Sequence, residues 1–288
     1  MTGFKFKLEK YKGQATRHEC PNCKTPRSFS RYVDERGNYI DKNVGRCNRE
    51  DKCGYHLTPA EYFKDKGVSY TPTIKVERKP LPPTDYVPED VMVRSLRTDN
   101  HFLQFLTKRF PPLQVAYAVE KYRIGDTKDG RVIYWQIDDK DRVRTGKMMR
   151  YNPDTGRRVK GVPGSFDWVH RHIKQPYQLE QCLYGLHLIR KEKPIAVVES
   201  EKSAIIASLT IPNYTWMATG GKQNLRLLKP LQGRDVTLFP DLGAFEPWSK
   251  KANELGFKTS NLLEQVATDE EKRNGLDLAD YILRGLQK

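Results

Sequence analysis

The chain is short of acid. Its 36 Asp and Glu stand against 51 Lys and Arg, leaving a formal net charge of +15 over 288 residues. It also lacks long hydrophobic runs: no stretch approaches the roughly 18 apolar residues of a membrane span. The opening MTGFKFKLEKYK has no apolar segment of the kind a secretory leader carries. These absences predict a soluble, cytoplasmic protein. Cysteine is scarce, with five in the chain. In a reducing compartment clustered thiols read as metal ligands rather than disulfides. The acid deficit favours polyanionic partners, nucleic acid or an anionic membrane, and no long basic amphipathic helix points to the membrane. At about 100–200 residues per domain, the length suggests about two domains.

The few cysteines are concentrated. Cys20 and Cys23 lie in HECPNC, and Cys47 and Cys53 in GRCNREDKCGYH. Two close pairs separated by a strand-length insert suit a tetrahedral zinc site, each pair on a tight turn and the insert folded back as a hairpin. The insert has strand-forming residues on both sides of the turn signal Glu35-Arg36-Gly37-Asn38. His18 and His56 are reserve ligands, and four unrelated buried thiols are the bland alternative. Cys182 stands alone before an apolar segment and reads as packing. A segment this small buries little surface, so the metal would supply much of its stability. Arg27, Arg31, Tyr32, Tyr39 and Arg46 interleave charge and aromatic faces, which suits single-stranded nucleic acid or an ordinary solvated strand face.

Thr58-Pro59-Ala60-Glu61 predicts a capped helix start, the helix ending near Gly67. Pro72, Pro80, Pro82, Pro83 and Pro88 then mark an extended tether. Helices are predicted over 90–96, 100–110 and 113–122, and a hairpin with strands from Val132 to Ile137 and from Val143 onward. Residues 140–160 hold Lys140, Arg142, Arg144, Lys147, Arg150, Arg157, Arg158 and Lys160. Alternation on a strand would align Arg142 and Arg144 as a phosphate-binding ridge, extended by Arg150; a solvated face is the alternative.

The last third alternates strand and helix, implying a parallel sheet with crossovers. Strands end at Glu199 and Asp241, a strand over 214–217 precedes Thr219-Gly220-Gly221-Lys222 and a short helix, and a further strand is expected over 259–262. In such sheets the functional crevice lies at the strand carboxyl ends. If their strands are neighbours, Glu199 and Asp241 converge, and a magnesium or manganese ion would compensate the buried charge and hold a nucleoside triphosphate. Each acid could equally cap the helix that follows it. Lys222 is a candidate nucleotide contact.

The order of these parts, together with VVESEKSA, FPDLGAFE, MMRYNPDTG, CLYGLHLIRKEKPIAVVESEKSA and GLDLADYI, resembles bacterial DnaG-type and phage primases, whose catalytic core is a Toprim fold. The likeness runs from about Cys20 to Leu283 and suggests a plasmid or mobile-element relative. It implies Glu199, Asp241 and Asp277 as ligands of magnesium or manganese. It further implies Lys202 in a catalytic role and Arg150, with Lys147 nearby, as the basic nucleotide or nucleic-acid contact. The chain departs from the family pattern at Gly243, where a second Asp is expected, and at Ala279, where another acid is usual. Glu246, Glu201, Asp277 and Asp280 are the possible substitutes.

The expected architecture is α/β: a zinc ribbon over 1–66, a proline-rich linker over 67–89, a helical and basic β-hairpin subdomain over 90–193, and a Toprim-like parallel-sheet subdomain over 194–288. The implied activity is that of a primase-like nucleotidyltransferase. It would make short primers on single-stranded DNA from nucleoside triphosphates, with a separately encoded replicative helicase as a candidate partner. A binding module without turnover, for a mobile-element replication or mobilisation complex, is the first alternative. A Toprim nuclease is the second.

Overall fold

The computed structural model describes residues 6–50, 52–67, 83–97 and 99–286. The chain divides into two units, Met1–Leu81 and Pro82–Lys288. Most of the proline-rich tether expected over 67–89 lies outside the described residues.

The first unit is built on β1 (Phe6–Leu8), β2 (Phe29–Asp34), β3 (Gly45–Cys47) and β4 (His56–Leu57). They form one antiparallel sheet in that order. The turn after β2 falls where Gly37 and Asn38 predict it. The Asp34 carboxylate accepts the backbone N–H groups of Arg36 and Asn38, both at 2.9 Å. Helix α1 (Pro59–Asp65) opens with a reciprocal box. Thr58 accepts the Glu61 N–H, and Glu61 accepts the Thr58 N–H, which satisfies two donors that a helix start otherwise leaves without partners.

The second unit opens with α2 (Glu89–Ser95), α3 (His101–Thr107) and α4 (Pro112–Tyr122). An antiparallel sheet follows: β5 (Gly125–Asp126), β6 (Val132–Ile137), β7 (Val143–Met149) and β8 (Phe166–Trp168), in sequence order. Next come β9 (Ile195–Val198), α5 (Glu201–Thr210), β10 (Thr215–Ala218), β11 (Val236–Leu238), α6 (Phe245–Leu255) and β12 (Lys258–Thr259). The chain finishes with α7 (Leu262–Val266), α8 (Asp269–Asn274) and α9 (Leu278–Gly285). The short helix expected after Lys222 is a 3-10 segment, Leu225–Leu231, with Pro230 inside it. The strand expected over 259–262 stops at Thr259, and Leu262 begins α7 instead.

The parallel sheet runs β10-β9-β11-β12. Its second connection leaves β10 and returns on the far side of β9, so the order reverses between β9 and β11. Alternate residues of β9 face opposite ways, as strand geometry requires. Ala196 and Val198 join a core with Trp216 and the α5 residues Ala204–Ala207, whereas Ile195 and Val197 join one with Met217, Trp248 and Ala252. Both faces are covered, which accounts for the unbroken apolar run in β9. The first of these cores continues into α3, α4, β6 and Tyr151. The antiparallel and parallel sheets therefore share one interior, continuous across the 193/194 boundary.

A buried ion pair crosses that shared interior. Lys147 on β7 sends its Nζ to both oxygens of Glu201, at 3.1 and 2.9 Å, and to the Gly220 carbonyl at 3.0 Å. The Glu201 side chain is 2% exposed. An interior charge stripped of its partner is far more costly than the pair itself is stabilising. Lys147→Met alone is expected to destabilise the second unit by about 3–5 kcal/mol. The double change Lys147→Met with Glu201→Met should recover most of that loss in urea unfolding. A double variant no more stable than the single one would contradict this account.

Candidate functional site

In the first unit the four cysteines of the two pairs come together. Cys20 Sγ lies 3.8 Å from Cys53 Sγ, Cys23 Sγ lies 3.9 Å from Cys47 Sγ, and all four sulfurs are within 4.8 Å of one another. Thiolates about 2.3 Å from a tetrahedral zinc are separated by about 3.8 Å, so the cage has the size zinc needs. The spacings are far beyond the roughly 2.05 Å of a disulfide. Neither reserve histidine joins the cage. His56 stacks on Tyr32 and hydrogen-bonds its hydroxyl at 3.0 Å, and His18 packs edge-on to Tyr39. The residues expected to meet nucleic acid on this unit are partly engaged with the unit itself. Arg31 reaches the Lys42 carbonyl and lies over Tyr39, Arg46 pairs with Glu50, and Arg27 is exposed.

In the second unit β9 and β11 are hydrogen-bonded neighbours, with Ala196 opposite Thr237 and Val197 opposite Leu238. Glu199 and Asp241 follow the carboxyl ends of these two strands, at the point where the strand order reverses. That is the place where open α/β sheets leave a crevice. Asp241 Oδ1 is buried and has no hydrogen-bond partner among the described residues. Burial, then the negative charges of Asp277 and Glu199, push the Asp241 carboxyl up to about 8, with Lys202 opposing. Burial likewise raises Glu199, against the pull of the Lys222 ammonium and backbone N–H. Without a counter-charge Asp241 therefore keeps its proton at neutral pH beside Glu199, and a divalent cation is one group that could displace that proton. Magnesium binds through one or two carboxylates and completes its shell with water and phosphate oxygens, so it does not need a closed protein cage. Apart from the cysteines, no group of three His, Cys, Asp or Glu among the described residues forms one.

The other acids around this centre are engaged or exposed. Glu201 is held by Lys147. Asp277 caps α9, accepting the Asp280 N–H at 3.0 Å and the Ser203 hydroxyl at 3.1 Å. Lys202 Nζ lies 3.4 Å from Asp277 and 3.7 Å from Asp280. Glu246 is exposed in the first turn of α6. Gly243 adopts a left-handed φ of +74° that disfavours any side chain there. Its N–H donates to Glu264, an acid the sequence reading did not single out. Gly220 also has positive φ, and a Cβ there would come within 2.9 Å of Glu201 Oε1. A bare backbone at this point lets the 219–221 turn close over the ion pair and donate the Gly220 N–H to the Glu199 carbonyl at 2.9 Å.

Several expected basic contacts are directed inward. Arg142 and Arg144 do not form an open ridge: both reach Asp138, a carboxylate only 2% exposed, at 3.0 and 2.9 Å, and both lie over the Tyr86 ring. Arg144 also pairs with Glu180 at 2.6 Å. Arg150 pairs with Asp129. A buried carboxylate formed at the β6–β7 turn competes for these cations more strongly than solvent does. Lys222 stays near the acids, its Nζ on the Gly243 carbonyl at 3.0 Å. Arg109, Arg157, Arg158 and Lys160, by contrast, line cavities next to this centre and have no ion pair with a carboxylate among the described residues. The stretch after Arg150 folds as a tight hairpin in which Asn152 Oδ1 accepts the N–H groups of Asp154 and Thr155 and Arg158 returns beside Tyr151. Arg158 and Lys160 thereby line a cavity of about 340 Å³ with Glu199, Lys202 and Asp277. The same two residues and Lys202 also line a cleft of about 780 Å³ with Arg109 and Arg157. The charge count over 140–160 contained three of these four cations, but nothing in the local pattern separated them from Arg142 and Arg144.

Residues 100–242 match the model of a domain of unknown function, DUF6371, and residues 4–68 that of a zinc beta-ribbon finger. No curated protein matches the chain. Among solved structures, the chain is similar to the primase fragment of the bacteriophage T7 primase-helicase protein: 14% identity, 94% of this chain and 98% of that one, TM-score 0.39. It is also similar to a DnaG primase catalytic domain bound to single-stranded DNA, with 12% identity over 68% of this chain and 82% of that one and a TM-score of 0.41. The RNA polymerase domain of Mycobacterium tuberculosis primase DnaG gives 13% identity over 68% and 84%, with a TM-score of 0.41. No helix among the described residues is long and apolar enough to cross a membrane.

Two predictions follow from the geometry. The apolar cluster of the first unit contains few residues besides its cysteines, so removing zinc with a chelator should make residues 6–67 of the full chain protease-sensitive while leaving the second unit resistant. Equal resistance with and without chelator would count against a structural zinc. At the carboxylate centre the folded state holds a proton on Asp241 that the unfolded chain releases near 3.8. The contribution of this group to stability is therefore greatest at low pH and is lost as pH rises through about 8. Added magnesium should accordingly raise the melting temperature more at about pH 8.5 than at about pH 6. Asp241→Asn should flatten that difference; an increment independent of both pH and Asp241 would refute it.

Proposed function

We propose that this protein is a primase-like nucleic-acid-binding enzyme with a Toprim-type centre, which joins nucleotides into short primers on single-stranded DNA. The observation that carries this reading is the buried oxygen of Asp241 without a hydrogen-bond donor, beyond the end of the strand that pairs with that of Glu199, where Glu199 lines a cavity with Arg158 and Lys160. Glu199 and Asp241 would hold magnesium or manganese, which when bound neutralises phosphate charge during phosphoryl transfer. Lys147, through Glu201 and the Gly220 carbonyl, braces the turn that fixes the Glu199 backbone. Arg157, Arg158, Lys160 and Arg109 offer unpaired cations to a triphosphate or to the template backbone. The reaction would be attack of a 3′-hydroxyl on an α-phosphate with loss of pyrophosphate. The zinc unit, with Arg27 and Tyr39 exposed, is a candidate template contact.

A second reading is supported by Gly243. No side chain there can add a ligand, and Asp277 is already occupied by Ser203, Lys202 and its own cap, so the centre has fewer free acids than the resemblance implies. On that reading the chain binds single-stranded nucleic acid for a replication or mobilisation complex without turnover.

The two readings separate in one experiment. Purified protein incubated with single-stranded DNA, nucleoside triphosphates and magnesium or manganese is expected to yield short oligonucleotides. Glu199→Gln and Asp241→Asn should each reduce synthesis at least about a hundredfold while leaving salt-dependent DNA affinity unchanged. Binding without product under either metal favours the second reading, and nicking of labelled plasmid instead of synthesis indicates a nuclease. Arg158→Ala with Lys160→Ala should weaken single-stranded DNA binding and lower its salt slope by about 1.4.

A further inference from the structure

A cavity of about 750 Å³ at the other end of the parallel sheet has no part in the proposed chemistry. It opens between the end of α4, the segment 186–190 that leads into β9, and Arg234, two residues before β11. It therefore lies toward the amino ends of the strands whose carboxyl ends lead to Glu199 and Asp241. Its charges are unevenly neutralised. Arg123 pairs with Asp141 at 3.2 Å, and Glu120 and Asp139 are exposed acids that also line the cavity. Lys121, Arg190 and Arg234 line it too and have no ion pair among the described residues. Arg190 donates to the carbonyls of His187 and Ile189, which fixes its direction without neutralising it. Lys121 is partly buried, and its ammonium lies over the Tyr117 and Tyr122 rings, 5.9 and 5.3 Å from their centroids. Aromatic faces rather than a carboxylate hold it there. Burial, then the neighbouring Lys193 charge, push the Lys121 ammonium down from its usual range, as befits a cation still lacking an anion. Beside these cations Tyr117 is 66% exposed, and Leu113, one turn earlier on the same face of α4, is 86% exposed.

We infer that this cavity is a second contact for single-stranded nucleic acid, with Tyr117 stacking on a base and Lys121, Arg190 and Arg234 meeting phosphates. The physical reason is the pairing of an open ring face with unpaired cations. A single strand presents both complements at once, spaced anions and bases free to stack. A duplex keeps its bases stacked on one another and has no use for the Tyr117 face. The proposed function places a strand only beside Arg157, Arg158 and Lys160. This surface stands at the opposite ends of β9 and β11 and would hold a different part of the same strand, with no metal involved.

The test is an anisotropy titration of the full, zinc-loaded chain with labelled oligodeoxythymidine, without nucleotides or divalent metal. A length of about 30 nucleotides leaves room for two contacts of up to about 16 each. Tyr117→Ala is expected to weaken binding at least about fivefold, and Tyr117→Phe, which keeps the ring, to stay near the wild type. Arg190→Ala with Arg234→Ala should lower the salt slope by about 1.4. Joined to Arg158→Ala and Lys160→Ala, they should lower it by about 2.8, because the two pairs meet different phosphates. Iodouracil placed in the oligonucleotide should crosslink to Tyr117 of the wild-type protein. A crosslink map without Tyr117 overturns the inference whether or not any variant folds. Wild-type affinity and salt slope in folded Tyr117→Ala and Arg190→Ala/Arg234→Ala variants also overturn it, while leaving the proposed function intact. Variants that lose binding to poly-glutamate but keep binding to the oligonucleotide overturn it too, and mark a docking site for an acidic protein. No oligonucleotide binding by the wild type removes the proposed function and this inference together.

Discussion

The site depends on the parallel pairing of β9 with β11. That pairing places two strand ends side by side at the point where the sheet order reverses. Each strand is short, and both faces of the sheet are covered by apolar side chains, so the register is held by burial on both sides. Glu199 and Asp241 lie 42 positions apart along the chain, yet both emerge at one rim. Slipping β11 by one residue would turn its side chains to the opposite faces and carry Asp241 out of the rim.

Charge is divided sharply in the second unit. Several carboxylates buried by the fold draw in a nearby cation: Lys147 meets Glu201, Arg142 and Arg144 meet Asp138, and Lys202 meets Asp277. These pairs hold turns and caps in place. The hairpin after Arg150, where the Asx turn at Asn152 reverses the chain, holds Arg157, Arg158 and Lys160, which have no ion pair among the described residues and line the cavities beside the centre. Arg158 and Lys160 line one cavity with Glu199 and Asp277, so cations and carboxylates face the same space, as the proposed function requires.

Local signals carried much of the fold. The Thr58 box, the Gly37 turn, β6 over Val132–Ile137 and the alternation of strand and helix after residue 194 all rest on interactions within a few positions, and periodicity reports them directly. Elements without such signals were harder to anticipate. The three-residue β1 is too short to show a period, and α7 and α8 follow directly on the region where a strand over 259–262 was expected. Asp277 was legible as a rim acid but not as one already bonded to Ser203, because that bond depends on α5 and α9 lying together, whereas its box with Asp280 is local.

By itself the sequence determined the pairs of cysteines at ligand spacing, the basic excess, the order of strands and helices, and the two carboxylates that end their strands. These are matters of composition and of neighbours along the chain. Which cation answers which acid was decided only by the tertiary structure. An ionic partnership depends on burial and on distances of 3–4 Å between segments far apart in sequence, and residue type alone cannot distinguish an arginine bound to Asp138 from one that faces an open cleft.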